Sequence, residues 1–219
     1  MIQLVIFDLD GTLLNSVADL GQATNVALKM HNLPTHELDC YKYFVGNGVS
    51  KLIERAVPEE MRTESFLAEV KADFMNYYME HKTTLTKPYD GIPELLTYLQ
   101  SEGIKIAVAS NKFIAGTQAL ISHYFKQFNF AVVLGQREGI PAKPNPTIVN
   151  EILSVTGVDK KDVLYLGDTS IDMQTAKNAG VFAIGVSWGF RTKQELLDNG
   201  ANLIIDHPSE LITQIKMLR

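Results

Sequence analysis

Short apolar runs recur along the chain, and each is separated from the next by polar or glycine-containing segments. The runs span residues 2–7, 104–110, 130–135, 162–168, 181–187 and 201–206. They are continuously apolar and do not alternate with polar residues, a pattern typical of parallel strands that are covered on both faces. The pattern therefore predicts six buried strands.

Amphipathic helical patterns lie between these runs. Apolar residues recur at the spacing i, i+3, i+4, i+7 in two segments, the second of which follows a Pro-Ser start. The two sets are Ile92, Leu95, Leu96 and Leu99, and Leu211, Ile212, Ile215 and Leu218. Strand and helix alternate from about residue 89 to the end, which predicts a doubly wound α/β fold with a parallel, Rossmann-like sheet.

One interval, from about Ser16 to Tyr89, lacks a strand pattern and shows only helical patterning. Its two apolar stripes are Val17, Leu20, Ala27 and Leu28, and Leu67, Val70, Phe74, Tyr77 and Tyr78. We therefore predict a helical domain over residues 16–88, inserted after the first strand, with linkers near 14–18 and 82–89. The α/β core domain would then consist of residues 1–15 and 89–219.

The composition is that of an ordinary globular protein. The 219 residues are 46% hydrophobic and 21% charged, with a formal net charge of −5 and one cysteine, Cys40. The acidic balance favours neither a nucleic acid nor an anionic membrane as partner, and the lone cysteine is typical of a reducing compartment. The first apolar stretch ends at Asp8, without the pattern of a signal peptide, and no run approaches a membrane span. We expect a soluble, cytoplasmic protein.

Polar residues follow four of the predicted strands at positions that an apolar core would not favour. They are Asp8, Asp10, Gly11 and Thr12; Ser110, Asn111 and Lys112; Lys143; and Asp168 with Asp172. The carboxyl ends of parallel strands meet at one edge of the sheet, where open α/β sheets bind ligands, so these side chains are expected to converge. Two carboxylates about 4 Å apart repel by roughly 4 kcal/mol at an effective dielectric of ~20. A metal cation, a shared proton or exposure to water must offset that repulsion.

Several of these segments resemble the motifs of the haloacid dehalogenase-like phosphatase superfamily, over nearly the whole chain. The matching segments are DLDGT at 8–12, the serine and lysine in the same order, and GDTSID at 167–172. SNK at 110–112, VGNG at 45–48 and SWG at 187–189 are most similar to phosphoglycolate phosphatases, whereas Asn15 departs from them where they usually carry aspartate. The helical insertion resembles the mobile cap of the superfamily.

This resemblance implies a Mg²⁺-dependent phosphatase that acts on a small phosphorylated metabolite, with phosphoglycolate the leading substrate. Asp8 would be the nucleophile that forms an aspartyl-phosphate, and Asp10 the general acid and base. Mg²⁺ would be held by Asp8, by the backbone carbonyl of Asp10 and by Asp168, with Asp172 beside them. Lys143 is implied to be catalytic, because it would add its charge to the phosphate and hold Asp8 in place. The other groups implied to bind the phosphoryl oxygens are Ser110, Asn111 and the backbone amides near Gly11 and Thr12.

Five of these residues also have a structural alternative. Asp172 also fits the first turn of a helix beginning near Ser170. Lys143 could be a solvated loop lysine, Ser110 a helix cap, and Asp8 with Asp10 a surface turn. We favour the functional interpretation for all of them, because they occur together.

A functional role is less strongly indicated for the residues that follow, and each of them also has a structural interpretation. The glycines of VGNG fit a substrate-facing loop or an ordinary turn between helices equally well. Lys51 and Arg55 could meet a substrate carboxylate, but we favour exposure to water. For Trp188 we favour core packing.

Three other functions stay open at this point. The same motifs occur in pyrophosphatases and in sugar phosphomutases, and a non-catalytic binding protein is a remote alternative because the acidic set is complete. A dehalogenase is disfavoured, because displacement of halide needs no acid such as Asp10. A monomer and a homodimer are both compatible with the sequence.

Overall fold

The computed structural model describes residues 1–217 of the chain. Within these residues the strands are β1 (Leu4–Phe7), β2 (Leu14–Asn15), β3 (Lys87–Pro88), β4 (Lys105–Phe113), β5 (Phe130–Gln136), β6 (Val163–Gly167), β7 (Phe182–Val186) and β8 (Leu203–Ile205). The helices are α1 (Val17–Met30), α2 (Leu38–Phe44), α3 (Val49–Ala56), α4 (Glu64–His81), α5 (Ile92–Ser101), α6 (Ile114–Tyr124), α7 (Thr147–Thr156), α8 (Ser170–Ala179), α9 (Lys193–Asp198) and α10 (Pro208–Met217). Short 3₁₀ turns occupy Glu59–Met61 and Lys160–Asp162.

Six strands form one parallel sheet in the order β5-β4-β1-β6-β7-β8. The predicted α/β fold is thus confirmed, with all six predicted strands present. The chain runs outwards from β1 through β4 and β5, then returns to build the other half from β6. The direction of the connections therefore reverses beside β1, the place where open α/β sheets bind their ligands.

Strand β4 extends further than the apolar pattern predicts. The sequence predicts its end at residue 110, but it continues to Phe113 through a register irregularity between Ala109 and Phe113. Ser110, Asn111 and Lys112 therefore belong to an irregular strand end and not to a following loop. They lie between two paired positions of the strand, Ala109 with Leu134 and Phe113 with Gln136.

The sheet is covered on both faces, which explains the continuously apolar runs. Leu4 and Ile6 of β1 join a cluster with residues of α7 and α8, while Val5 and Phe7 join a second cluster with residues of α5 and α10. Successive strand residues point to opposite faces. Leu211 and Ile215 of the predicted α10 stripe are buried, whereas Leu218 lies outside the described residues.

The interval after β1 contains α1 to α4, which share a third apolar cluster. The prediction that this interval contains no strand is wrong at its far end. Leu14 pairs with Pro88, and Asn15 with Lys87, so the two predicted linkers meet in an antiparallel two-residue ribbon. Such short pairing leaves no apolar run that a sequence pattern could detect. The division into a core domain and a cap domain, 16–88, stays a proposal that the separate cluster supports.

Asp19 near the start of α1 holds the returning linker against the outgoing one. Its carboxylate accepts hydrogen bonds from the backbone N–H groups of Leu85 (3.0 Å) and Thr86 (2.8 Å) and from the Thr86 hydroxyl (2.7 Å). Both connections are thus tied to one buried side chain. Across residues 1–217, the helices are too short or too polar for any of them to cross a membrane.

Candidate active site

Residues from four separate segments meet at the carboxyl edge of the sheet beside β1. Asp8 follows β1, Asp168 follows β6, Asp172 lies in the first turn of α8, and Lys143 comes from the segment after β5. The Lys143 ammonium lies 2.9 Å from Asp8 Oδ1 and 2.7 Å from Asp172 Oδ1. The three carboxylates each offer an oxygen within 4.8 Å of the others. The predicted convergence is therefore confirmed for these four residues.

Lys143 is buried, which excludes the interpretation as a solvated loop lysine. Its side chain is 2% exposed, and Nζ also donates to the carbonyl of Ala109 (2.9 Å) and to the hydroxyl of Tyr165 (3.1 Å). Burial lowers the pKa of Lys143, but Asp172 and Asp8 more than offset that effect and leave the pKa well above its ordinary value. A permanently charged lysine therefore lies against Asp8.

Asn111 holds the backbone of Lys143. Its Oδ1 accepts from the Lys143 N–H (2.9 Å), and its Nδ2 donates to the carbonyls of Lys143 (3.2 Å) and Gly46 (3.1 Å). Both N–H donors of the amide are thus engaged. A contact between Asn111 and a phosphoryl oxygen stays a prediction. Because the side-chain amide is engaged, the donor in such a contact would be the backbone N–H of Asn111.

The DLDGT turn needs glycine at position 11. Gly11 has a φ of +90°, and a Cβ there would lie 2.2 Å from Asp168 Oδ2. Thr12 Oγ1 donates to Asp168 Oδ1 (3.2 Å), so the turn positions the carboxylate that it approaches. The Gly11 N–H donates to Leu14 O (2.8 Å) and the Thr12 N–H to Leu9 O (3.3 Å). Contacts of these two amides with phosphoryl oxygens stay a prediction, since both are engaged within the turn.

Asp10 is paired with Lys112, a residue to which the sequence analysis assigned no role. Lys112 Nζ lies 2.9 Å from Asp10 Oδ2 and 3.2 Å from Oδ1, and Ser16 Oγ donates to Oδ1 at 2.6 Å. The Lys112 side chain is 3% exposed and that of Asp10 15%, which excludes an open surface turn. Lys112 was visible in the SNK segment, but no local pattern indicates which carboxylate it meets.

Asp172 lies in the first turn of a helix, as its structural alternative predicts, and also contacts Lys143. Helix α8 begins at Ser170, and Asp172 forms a capping box with Thr169, whose N–H (3.1 Å) and hydroxyl (2.6 Å) donate to Oδ2. Its Oδ1 accepts from Lys143 and from the hydroxyl of Tyr165 (3.1 Å). Tyr165 was hidden in the apolar run of β6, because a tyrosine there is typical of a core. Direct coordination of a metal by Asp172 stays a prediction.

The carboxylate cluster carries more negative charge than its lysines offset. Asp8, Asp10, Asp168 and Asp172 against Lys112 and Lys143 leave a net charge of −2 when all are ionised. Burial first, and Asp172 second, raise the pKa of Asp8 to about 7, and the same two causes raise that of Asp168 well above its ordinary value. Clustered, buried carboxylate oxygens are the ligands that hard divalent cations prefer. The residues therefore fit a divalent metal ion, which would relieve this repulsion.

A small cavity of about 40 Å³ lies between Asp8, Asp10 and the inserted helices. Leu20, Val45, Val49, Leu52 and Phe74 line it from the insertion, and Ser110, Asn111, Lys112 and Phe113 line it from the sheet. Gly48, at a φ of +82°, brings the VGNG loop so close that a Cβ would lie 3.2 Å from the Asn111 carbonyl oxygen. The loop thus faces the site and is not a remote turn.

The structure shows the positions of two residues for which the sequence left alternatives open, Ser110 and Trp188. Ser110 does not cap a helix: α6 begins at Ile114, and Ser110 Oγ accepts from the Lys112 N–H (3.2 Å). Trp188 packs against the core as expected, and its Nε1 also donates to Thr12 O (3.0 Å). A phosphoryl contact by Ser110 stays a prediction.

The two cations of α3 do not face the cavity. Lys51 is exposed and pairs with Glu54 (2.6 Å), as expected for a residue facing water. Arg55 differs from that expectation, because its guanidinium donates to Phe44 O (2.8 Å) and Asn47 Oδ1 (2.8 Å). It stabilises the loop behind the cavity.

A parallel α/β sheet that gathers buried aspartates and a lysine beside its first strand defines a class of hydrolase whose chemistry depends on carboxylates. The profile of the haloacid dehalogenase-like hydrolase family matches residues 5–186, and the chain belongs to that family. It is similar to a phosphoglycolate phosphatase of Aquifex aeolicus, with 31% identity over 96% of this chain and 95% of the relative.

Two further relatives place the chain among the phosphatases of the family. An N-acetylmuramic acid 6-phosphate phosphatase of Pseudomonas aeruginosa is 28% identical over 95% of this chain and 92% of its own. The crystal structure of a predicted phosphoglycolate phosphatase from Haemophilus somnus superposes with a TM-score of 0.89, at 27% identity over 98% of both chains. The protein is an enzyme, a phosphatase of the haloacid dehalogenase-like type.

Proposed function

We propose that this phosphatase hydrolyses a small phosphomonoester, with phosphoglycolate the leading substrate, through an aspartyl-phosphate formed on Asp8 in the presence of Mg²⁺. The observation that carries the proposal is the buried contact of Asp8 with Lys143 (2.9 Å) inside a carboxylate cluster that fits a divalent cation. The cation and Lys143 would together allow a phosphate dianion to approach a nucleophile that is itself an anion.

Asp8 and Asp10 would carry out the reaction as two successive displacements at phosphorus. In the first, a carboxylate oxygen of Asp8 bonds to phosphorus, the bond from phosphorus to the leaving oxygen breaks, and Asp10 gives its proton to that oxygen. In the second, Asp10 takes a proton from water as the water oxygen bonds to phosphorus and the bond from phosphorus to the Asp8 oxygen breaks, which releases phosphate and restores the Asp8 carboxylate. Lys143 holds Asp8 in place and contributes its charge to the phosphoryl oxygens.

Asp8, the backbone carbonyl of Asp10 and Asp168 would hold the metal ion, and Mg²⁺ suits such oxygen ligands while it keeps several waters. When bound, the ion supplies positive charge against the carboxylates and the phosphate oxygens. Thr12 and the N–H of Phe190, which donate to Asp168 at 3.2 and 2.9 Å, fix that carboxylate in place. Asp172 acts through Lys143, which it orients.

The relatives support phosphoglycolate as the leading substrate. The chain is similar to a phosphoglycolate phosphatase over nearly its whole length. We further propose that the helices of residues 16–88 act as a cap that excludes water during the first step.

Phosphate release from phosphoglycolate with Mg²⁺, by wild type and by Asp8→Asn, tests the proposal directly. Asparagine keeps the shape of the side chain but lacks the nucleophilic carboxylate, so the rate should fall by on the order of 10³-fold or more. Asp159→Asn is the matched control, because Asp159 is an exposed acid that pairs with Lys161 at the surface. Full activity in Asp8→Asn would contradict the proposal.

A substrate comparison separates the alternatives on the same scaffold. We expect phosphoglycolate to exceed pyrophosphate, nucleotides and sugar phosphates in kcat/KM. Incubation with a sugar 1-phosphate tests the phosphomutase alternative, since isomer formation faster than phosphate release would favour it. No phosphate release from any ester with Mg²⁺ would point to a binding protein instead.

A further inference from the structure

The cavity beside Asp10 has one cationic side chain among the described residues that line it, Lys112. The opposite wall is apolar and is formed by Leu20, Val45, Val49, Leu52 and Phe74. Lys112 is buried, so water does not screen its charge as it would at a surface. Any charge on the substrate's leaving group would meet this ammonium.

Lys112 lies where it can reach the first carbon substituent of a leaving group. Both hydrogen bonds that the structure gives its ammonium go to the carboxylate of Asp10, at 2.9 and 3.2 Å. Asp10 must contact the leaving oxygen if it acts as the acid. A group bonded to Asp10 is therefore adjacent to whatever the carbon next to that oxygen carries.

The other cationic side chains near the cavity are bound to other groups of the protein. Lys143 lies under Asp8, between that carboxylate and Asp172. Arg55 is bound to Phe44 O and Asn47 Oδ1, and Lys51 is paired with Glu54 in water. Lys112 is thus the charge left to recognise an anionic leaving group.

We propose that Lys112 is the specificity-determining residue of this enzyme and that it binds a carboxylate carried on the carbon next to the ester oxygen. The inference rests on the proposed function and adds the residue that selects the leaving group. A carboxylate would form a charge-assisted hydrogen bond with Lys112 in an enclosed, largely apolar space. An uncharged leaving group would leave the ammonium with Asp10 and with the ring of Tyr78, whose centroid lies 4.8 Å from Nζ.

The test compares phosphoglycolate with the phosphate ester of glycolamide, in which an amide of the same shape replaces the carboxylate. Wild type should prefer the acid by about tenfold or more in kcat/KM, the effect of one charged hydrogen bond. Lys112→Gln should reduce this preference to about one, mainly through a higher KM for the acid, while Lys112→Arg retains most of it. Lys51→Gln, which removes an exposed lysine of α3, should leave the preference unchanged.

The ratio of the two substrates separates recognition from the positioning of Asp10, because loss of positioning slows both substrates equally. Equal kcat/KM for the two esters in wild type, or an undiminished preference in Lys112→Gln, would overturn the inference. If Lys112→Gln does not fold, as judged by circular dichroism, Lys112→Met takes its place with the same expectation. Failure of the proposed function is distinguishable, since wild type would then release phosphate from neither ester.

Discussion

Lys143 shows at the scale of one residue how a buried charge is tolerated. Burying an ion is costly unless nearly all of its donors are satisfied, and removal of one partner of a buried pair typically costs about 3–5 kcal/mol. Lys143 contacts two carboxylates, a carbonyl and the hydroxyl of Tyr165, all within 3.1 Å. This arrangement specifies a single position for the ammonium, and with it a single position for Asp8.

Tyr165→Phe tests the contribution of the hydroxyl to this arrangement. The hydroxyl contacts Lys143 and Asp172 at 3.1 Å each, and we expect its loss to lower the free energy of unfolding by about 1–3 kcal/mol. Urea denaturation measures the effect. Tyr98→Phe is the control, because the Tyr98 hydroxyl is buried and has no hydrogen-bond partner among the described residues. A Tyr165→Phe protein as stable as wild type would show that the hydroxyl adds nothing to the arrangement.

At the scale of elements, the carboxyl end of α2 joins the insertion to the sheet. Arg191, which follows β7, donates to the backbone carbonyls of Lys42, Tyr43 and Val45, the last at 3.2 Å. Arg55 binds Phe44 O from within the insertion. Helix ends leave carbonyls without partners and carry partial negative charge, so both arginines stabilise this end. Of these two arginines, Arg191 comes from the α/β part and Arg55 from the insertion.

Arg191→Gln should loosen the seating of the insertion on the sheet. We expect hydrogen exchange of the α2 amides to accelerate by about tenfold or more, because charged hydrogen bonds that restrain local opening are lost. We also expect kcat/KM to fall several-fold as the cavity closes less often. Lys193→Gln, in an exposed pair with Asp206 (2.6 Å), is the matched control. Unchanged exchange in α2 would show that Arg191 does not hold the insertion.

At the scale of the whole molecule, the acidic edge makes stability depend on pH and on metal. Burial and Asp172 raise the pKa of Asp8 from 3.8 to about 7, and Asp168 shifts in the same direction. In the unfolded chain these groups ionise near pH 4, whereas in the metal-free folded chain they hold their protons to a higher pH. The stability that Asp8 contributes is therefore lost as pH rises from about 4 to about 7, and Asp168 acts in the same direction.

Thermal unfolding with and without Mg²⁺ checks this expectation. The metal-free Tm should fall between pH 5 and 7, and added Mg²⁺ should raise Tm more at pH 7 than at pH 5, because the ion binds ionised carboxylates. Asp168→Asn should raise the metal-free Tm at pH 7 and abolish most of the Mg²⁺ effect. An equal Mg²⁺ effect at both pH values, or an undiminished one in Asp168→Asn, would contradict a metal site at these carboxylates.

The sequence by itself determined the six sheet strands, the long helices and the positions of Asp8, Lys143 and Asp168 near one edge. Continuous apolar runs report burial on both faces, and parallel strands bring their carboxyl ends together, so both follow from local patterns. The irregular end of β4 and the β2–β3 ribbon lay beyond such patterns, because they involve two to four residues without periodicity.

Only the tertiary structure decided the charge contacts that no resemblance had implied. Lys112 meets Asp10 across 102 positions of the chain, and Arg191 meets the carbonyl of Val45 across 146. Hydrophobic periodicity reports that a face is buried, but not which residue covers it, since the partner depends on how the elements pack. For the same reason the sequence did not reveal the role of Tyr165. Its ring fits the apolar strand pattern, while its hydroxyl forms hydrogen bonds with Lys143 and Asp172.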